Sequence, residues 1–316
     1  MLEWSAFLAF VLVMLALDLG VFNRKDHVVG PREALGWSAL WVSLALAFGG
    51  WVWFRHGGEV GLQYLTGYVI EKSLSVDNIF VFVVIFGALG IPPIYQHRVL
   101  FWGILSALLM RGAMIWAGAA LLHRFHWIIY VFGAFLVLTG VKLLLARGTA
   151  DHPERSAVFK LLQRLVPASP HLDGNHFFTK ASGKWLATPL FFALALIEVT
   201  DVIFAVDSIP AIFAVTSDPY IVFTSNVFAI LGLRSLYFLL ASFVEKFTYL
   251  KPSLAFVLMF VGAKMALVDV VKVHAGVSLG VVLGILTVGV VASIIRNRRD
   301  TPKDGKANLA VRPEGT

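Results

Sequence analysis

Long apolar runs separated by short polar breaks fill most of the chain. They predict helices at 4–22, 35–54, 62–87, 98–121, 127–145, 186–214, 220–243, 252–272 and 277–295. Each run approaches the roughly 20 residues that cross a hydrocarbon core of about 30 Å. The pattern therefore predicts an all-α polytopic membrane protein with about nine transmembrane helices. Composition agrees, since 59% of residues are hydrophobic and 14% charged, a balance foreign to soluble domains. The first run follows Glu3 rather than a basic stretch and is long, so it reads as a transmembrane helix and not as a cleaved signal.

Between the fifth and sixth runs, residues 146–185 are polar and carry Pro153, Pro167 and Pro170. They read as a cytoplasmic linker with one short amphipathic helix around VFKLLQRLV. Residues 1–295 then make one transmembrane domain, and the charged residues 296–316 a disordered cytoplasmic tail.

The net charge of +7 raises the question of nucleic acid. The basic residues, however, gather at the ends of apolar runs, as the positive-inside rule requires, so no nucleic-acid partner is expected. With the N-terminus outside, the cytoplasmic loops receive Arg24, Lys25, Arg32, Arg98, Arg147 and the tail RNRRDTPKDGK, whereas Arg55, Arg124 and Lys272 fall on the other side. The expected topology is N-out, C-in, in a cell (inner) membrane. Trp4, Trp37, Trp41 and Trp51 fall towards span boundaries and read as an interfacial belt against the lipid. No cysteine is present, which excludes disulfides, iron–sulfur clusters, thiolate metal sites and cysteine nucleophiles.

The chain also repeats itself. EKSLSVDNIF at 71–80 aligns with DVIFAVDSIP at 201–210, Leu109-Met110-Arg111 with Gly232-Leu233-Arg234, and Gly140-Val141-Lys142 with Gly262-Ala263-Lys264. Two blocks of three helices, about 62–145 and 186–272, are thus related. Because three crossings reverse direction, the second block is expected to be inverted, an architecture that places substrate near the bilayer midplane between repeats.

These repeats carry the charge. Glu71 and Asp77 lie in the third run and Glu198, Asp201 and Asp207 in the sixth, although a carboxylate at a helix centre costs at least roughly 2.5–3.5 kcal/mol on insertion scales. Helical geometry sets Glu198 and Asp201 on one face and Asp207 opposite, so either each helix serves two neighbours or it is broken. Pro210 favours a break that frees carbonyls beside Asp207. With the amide of Asn78 and the hydroxyl of Ser208, these carboxylates make an all-oxygen set suited to Mn²⁺, Mg²⁺ or Ca²⁺. Lys72, Arg111 and Arg234 are counter-charges within the membrane, and Lys72 has Val202 in place of a counterpart. Asp18 is a weaker pathway candidate, since Arg24 and Lys25 lie close by in sequence. Carboxylates around one cation can take up protons when it leaves, which makes proton exchange a natural coupling.

With EKSLSVDNIFVF at 71–82 and EVTDVIFAVDSIPAIFAVT at 198–216, the chain resembles the TerC/Alx family of integral membrane proteins, within the wider lysine-exporter-like superfamily. The resemblance implies export of Mn²⁺ from the cytoplasm as transported substrate, with no other cofactor, and puts the functional acids on Glu71, Asp77, Glu198, Asp201 and Asp207. The family name adds a link to tellurite and alkaline-pH responses. A membrane enzyme of the aspartyl-protease kind is disfavoured, because the Gly-x-Gly-Asp pattern is missing. The alternative is an accessory protein with membrane-protein partners, acting in membrane-protein insertion or in a tellurite or stress-resistance complex.

Overall fold

In a computed structural model, the structure describes residues 2–17, 29–125, 127–145, 157–181, 183–241, 249–270 and 273–300. Asp18 and the tail from 301 onward lie outside the described residues. The elements run α1 (Leu2–Leu17), α2 (Pro31–His56), α3 (Gly58–Ala88), α4 (Pro93–Arg124), α5 (Ile128–Leu145), α6 (Ala157–Leu165), β1 (Phe178–Ala181) and β2 (Lys184–Ala187). They continue with α7 (Pro189–Phe213), α8 (Pro219–Leu231), α9 (Leu233–Leu240), α10 (Leu250–Ala266) and α11 (Ala275–Asp300). A helix overlaps each apolar run. Among the described residues, five helices (α2, α4, α5, α7 and α11) are long and apolar enough to cross a membrane, or six if the bent pair α8–α9 is one span. The protein is an all-α membrane protein.

Local chemistry explains the helix starts. Proline opens α2, α4, α7 and α8, where its missing N–H costs nothing. Asp218 caps α8 by accepting the Tyr220 N–H at 2.8 Å. At the turn between α2 and α3, Gly57 adopts φ 96°, a left-handed conformation open to glycine. The linker holds the expected short helix as α6, whose Phe159 packs edge-on against Phe192 of α7. It also holds an unexpected antiparallel hairpin, β1–β2.

Two expectations fail here. Proline does not break α7, which runs through Pro210 to Phe213. The break comes instead at Gly232, where α8 and α9 meet at 41°. Trp41 is not a lipid-facing belt residue but a buried one, 4% exposed, packed where a Cβ on Gly232 would touch it at 3.0 Å.

Helix α3 is central, packing against α2, α7, α8 and α11, while α4 packs on α7 and α8 and α5 on α10. The α5–α10 contact is backbone on backbone. A Cβ on Gly140 would lie 2.7 Å from the Ala255 carbonyl oxygen, and one on Gly262 would lie 2.7 Å from that of Gly133, the close approach that small residues permit between membrane helices. The contacts are reciprocal. If Gly140 corresponds to Gly262, then Gly133 corresponds to Ala255, and Gly133 meets Gly262 just as Gly140 meets Ala255. Gly140→Leu is expected to lower stability by about 1–3 kcal/mol or more through overpacking. Gly280→Ala, with nothing within 4 Å of its Cβ, should gain or lose less than about 1 kcal/mol. Thermal unfolding of the purified protein in detergent measures both.

Candidate functional site

The apolar interior forms two clusters, one holding Leu108, Ile197 and Val227, the other Ile115, Ala205 and Val222. Between them on each helix stands a polar residue: Arg111 on α4, Asp201 on α7 and Asn226 on α8. Glu71 on α3 completes the layer. Glu71, Arg111 and Asp201 all lie near the midpoints of their helices and are at most 5% exposed.

Arg111 organises the layer. It pairs with Glu71 through Nη1 and with Asp201 through Nη2 at 3.0 Å and Nε at 3.4 Å. Nη1 also donates to Asn226 Oδ1 at 3.0 Å and to Ser208 Oγ at 3.2 Å. Asn78 Nδ2 donates to Asp201 Oδ1 at 3.3 Å. The guanidinium fork suits this work because it offers several fixed donors to carboxylates.

Opposite the guanidinium, α3 presents Glu71, Ser75 and Asn78, spaced i, i+4, i+7 and so within about 60° of one another on one face. Glu71 Oε2, Ser75 Oγ and Asn78 Oδ1 are buried and have no hydrogen-bond partner among the described residues. Ser75 differs from Ser73, Thr66, Thr224 and Ser253, each of which bonds the carbonyl four residues back, as hydroxyls in membrane helices do. Ser38 and Ser278 share its unpartnered state. The alignment pairs Glu71 with Asp201, Ser75 with Ala205 and Asn78 with Ser208, so both repeats turn the same three positions inward.

Among the described residues, Glu71, Glu198, Asp201 and Asp207 do not converge, and no three carboxylates or histidines gather on one point. Glu198 faces α4, where the Ser106 hydroxyl donates to it. Asp207 faces α5, where Thr139 Oγ1 donates to it at 3.3 Å. The unbroken α7 explains this, since its carboxylates project to different neighbours. Asp77 lies on α3, with its side chain outside the described residues. Arg234 stands away from the layer, beside Glu33 and Trp37 at a small pocket on α2. Lys72 donates to the Ala229 carbonyl at 3.1 Å, capping the end of α8 at its break. Asn226 and Ser75 belong to the site unforeseen. The signal for Asn226 was an amide inside the apolar stretch PYIVFTSNVFAIL.

Residues 56–301 match the profile of the integral membrane protein TerC family. The chain belongs to this family. This TerC chain is 64% identical over 304 residues to the uncharacterized membrane protein STKORF319 of Myxococcus xanthus, covering 96% of this chain and 95% of the relative. It is 45% identical over 318 residues to Alx of Escherichia coli (strain K12), named as a candidate membrane-bound redox modulator, covering 96% and 98%. An uncharacterized membrane protein of Rickettsia bellii is 41% identical over 295 residues, covering 93% and 98%. No solved structure matches the TerC chain significantly.

Since Lys72 neutralises the carbonyl end of a broken helix in this TerC chain, Lys72→Met is expected to destabilise it by about 1–2 kcal/mol. The check is a lowered midpoint of thermal unfolding in detergent.

Proposed function

We propose that this TerC protein exports a divalent cation, Mn²⁺ foremost, from the cytoplasm in exchange for protons, through the polar layer at the centre of its bundle. The observation that carries the reading is the row of unpartnered acceptors on α3, Glu71 Oε2, Ser75 Oγ and Asn78 Oδ1, beside Asp201. Buried acceptors without donors are costly, and a cation is the guest that turns that cost into affinity. The donor set is oxygen throughout, two carboxylates with hydroxyls and amides, which suits a hard cation. Two carboxylates balance a double charge. When the cation leaves, protons can take its place on them, which is what exchange requires.

The reading extends to topology. Nine crossings, with the N-terminus outside an inner membrane and the C-terminus in the cytoplasm, accommodate the helices over all nine apolar runs. The reciprocal α5–α10 contact and the matched stripes of α3 and α7 support two inverted repeats meeting at the site. A small cavity lined by Leu100, Gly103, Ile104 and Ile197 adjoins Asp201.

A second reading comes from the relatives' name. A redox modulator acting through its own thiols is excluded, because the chain has no cysteine. An accessory role in a membrane complex would make the carboxylates structural.

The test is cellular manganese. Cells expressing Asp201→Asn at normal protein levels should lose export, accumulating manganese and becoming sensitive to it like cells without the protein. If the variant protects as well as the parent chain, the exporter reading is wrong.

A further inference from the structure

The polar layer has too few free oxygens for its proposed guest. Glu71 Oε2, Ser75 Oγ and Asn78 Oδ1 are the acceptors left unpartnered there, whereas hard divalent cations take about six oxygen ligands or more. Asp201, Ser208, Asn226 and the second oxygen of Glu71 are all engaged by Arg111. Charge gives the same answer. Glu71 and Asp201 together balance a divalent ion, but a divalent ion and a guanidinium side by side would leave excess positive charge in a site of low dielectric, at a high cost.

Resting on the exporter reading, we propose that Arg111 is a tethered stand-in for the transported cation: it fills the site between loads, and the arriving ion must displace it. The neighbouring residues provide somewhere for it to go. Gly103 and Ala107 precede Arg111 by two turns and one turn on the same face of α4, and helical side chains lean towards the N-terminus. Both residues line the small cavity beside Asp201. A Cβ on Gly103 would meet Ile197 Cγ2 at 3.3 Å and stand 3.9 Å from Glu198 Oε1, so a second carboxylate lies on the side towards which the Arg111 side chain leans. Glu198, which the polar layer does not include, becomes the seat that receives the guanidinium while the cation is bound. Displacement also disposes of the charge problem, because no state holds both cations among the same oxygens. On release the returning guanidinium competes the ion away, and the proton of the exchange falls to Glu198, the carboxylate that Arg111 vacates.

The test is Mn²⁺ binding to the purified full chain in detergent, read from the paramagnetic resonance signal of free Mn²⁺. Arg111→Ala is expected to bind about tenfold tighter or more. Guanidinium chloride at tens of millimolar should weaken that binding towards the parent level while leaving the parent chain unchanged. Glu198→Gln should weaken binding in the parent and have no effect in the Arg111→Ala background, a coupling that two independent structural roles would not produce. In vesicles Arg111→Ala should bind but export poorly. Should Arg111→Ala not yield monodisperse protein, Arg111→Lys, which gives up the fork but keeps the charge, should still bind several-fold tighter than the parent. Equal or weaker binding by the folded variant, or a guanidinium effect of the same size in both chains, overturns the stand-in and leaves the exporter reading intact. No Mn²⁺ binding by the parent or any variant sinks the exporter reading and the stand-in with it.

Discussion

One buried cation holds the centre of this protein together. Arg111 binds Glu71 of α3, Asp201 and Ser208 of α7 and Asn226 of α8 from its place on α4, so four helices meet at a single guanidinium. Removing one partner of a buried ion pair costs about 3–5 kcal/mol, because the other is left uncompensated. In a hydrocarbon environment no water can take over the lost contacts. The position of these four helices is therefore tied to one electrostatic knot, and whatever changes the charge there changes their packing.

The remaining polar groups obey the same constraint in humbler ways. Hydroxyls turn back to the carbonyl one turn before them, Lys72 covers the broken end of α8, and the unbroken α7 sends Glu198 and Asp207 outwards to Ser106 and Thr139. Against that background of satisfied groups, the unpartnered oxygens of Glu71, Ser75 and Asn78 stand out. They lie on one stripe of one helix, at the waist between two apolar cores, which is where a transported ion would be held.

Much of this was legible in the sequence, because the bilayer forces apolar length and makes every intramembrane charge conspicuous. The helices over the apolar runs, the amphipathic α6 and the polar positions Glu71, Asn78, Asp201 and Ser208 inside the bundle could all be read from pattern and repeat. What the sequence hid was direction. The alignment of 71–80 with 201–210 matches Asp77 with Asp207 as readily as Glu71 with Asp201, yet Asp207 faces α5, and the inward stripe carries Glu71 with Asp201 instead. A carboxylate's face on a helix depends on rotation against its neighbours, which packing sets. Pro210 misled for a related reason, since neighbouring helices tolerate a proline inside a membrane helix, while Gly232, with no special marking, became the bend. Arg111 and Arg234 align in the repeat, yet Arg111 sits between Glu71 and Asp201 while Arg234 lines a pocket beside Glu33.

The central claim is that the polar layer carries a divalent cation across the membrane. The most direct measurement reconstitutes the full chain in liposomes with a Mn²⁺-quenched dye and a pH probe inside, then imposes a Mn²⁺ gradient. The account predicts Mn²⁺ entry with protons moving the opposite way, both abolished by Glu71→Gln in protein that reconstitutes normally. No Mn²⁺ flux through the parent chain, or the same flux through Glu71→Gln, would contradict it.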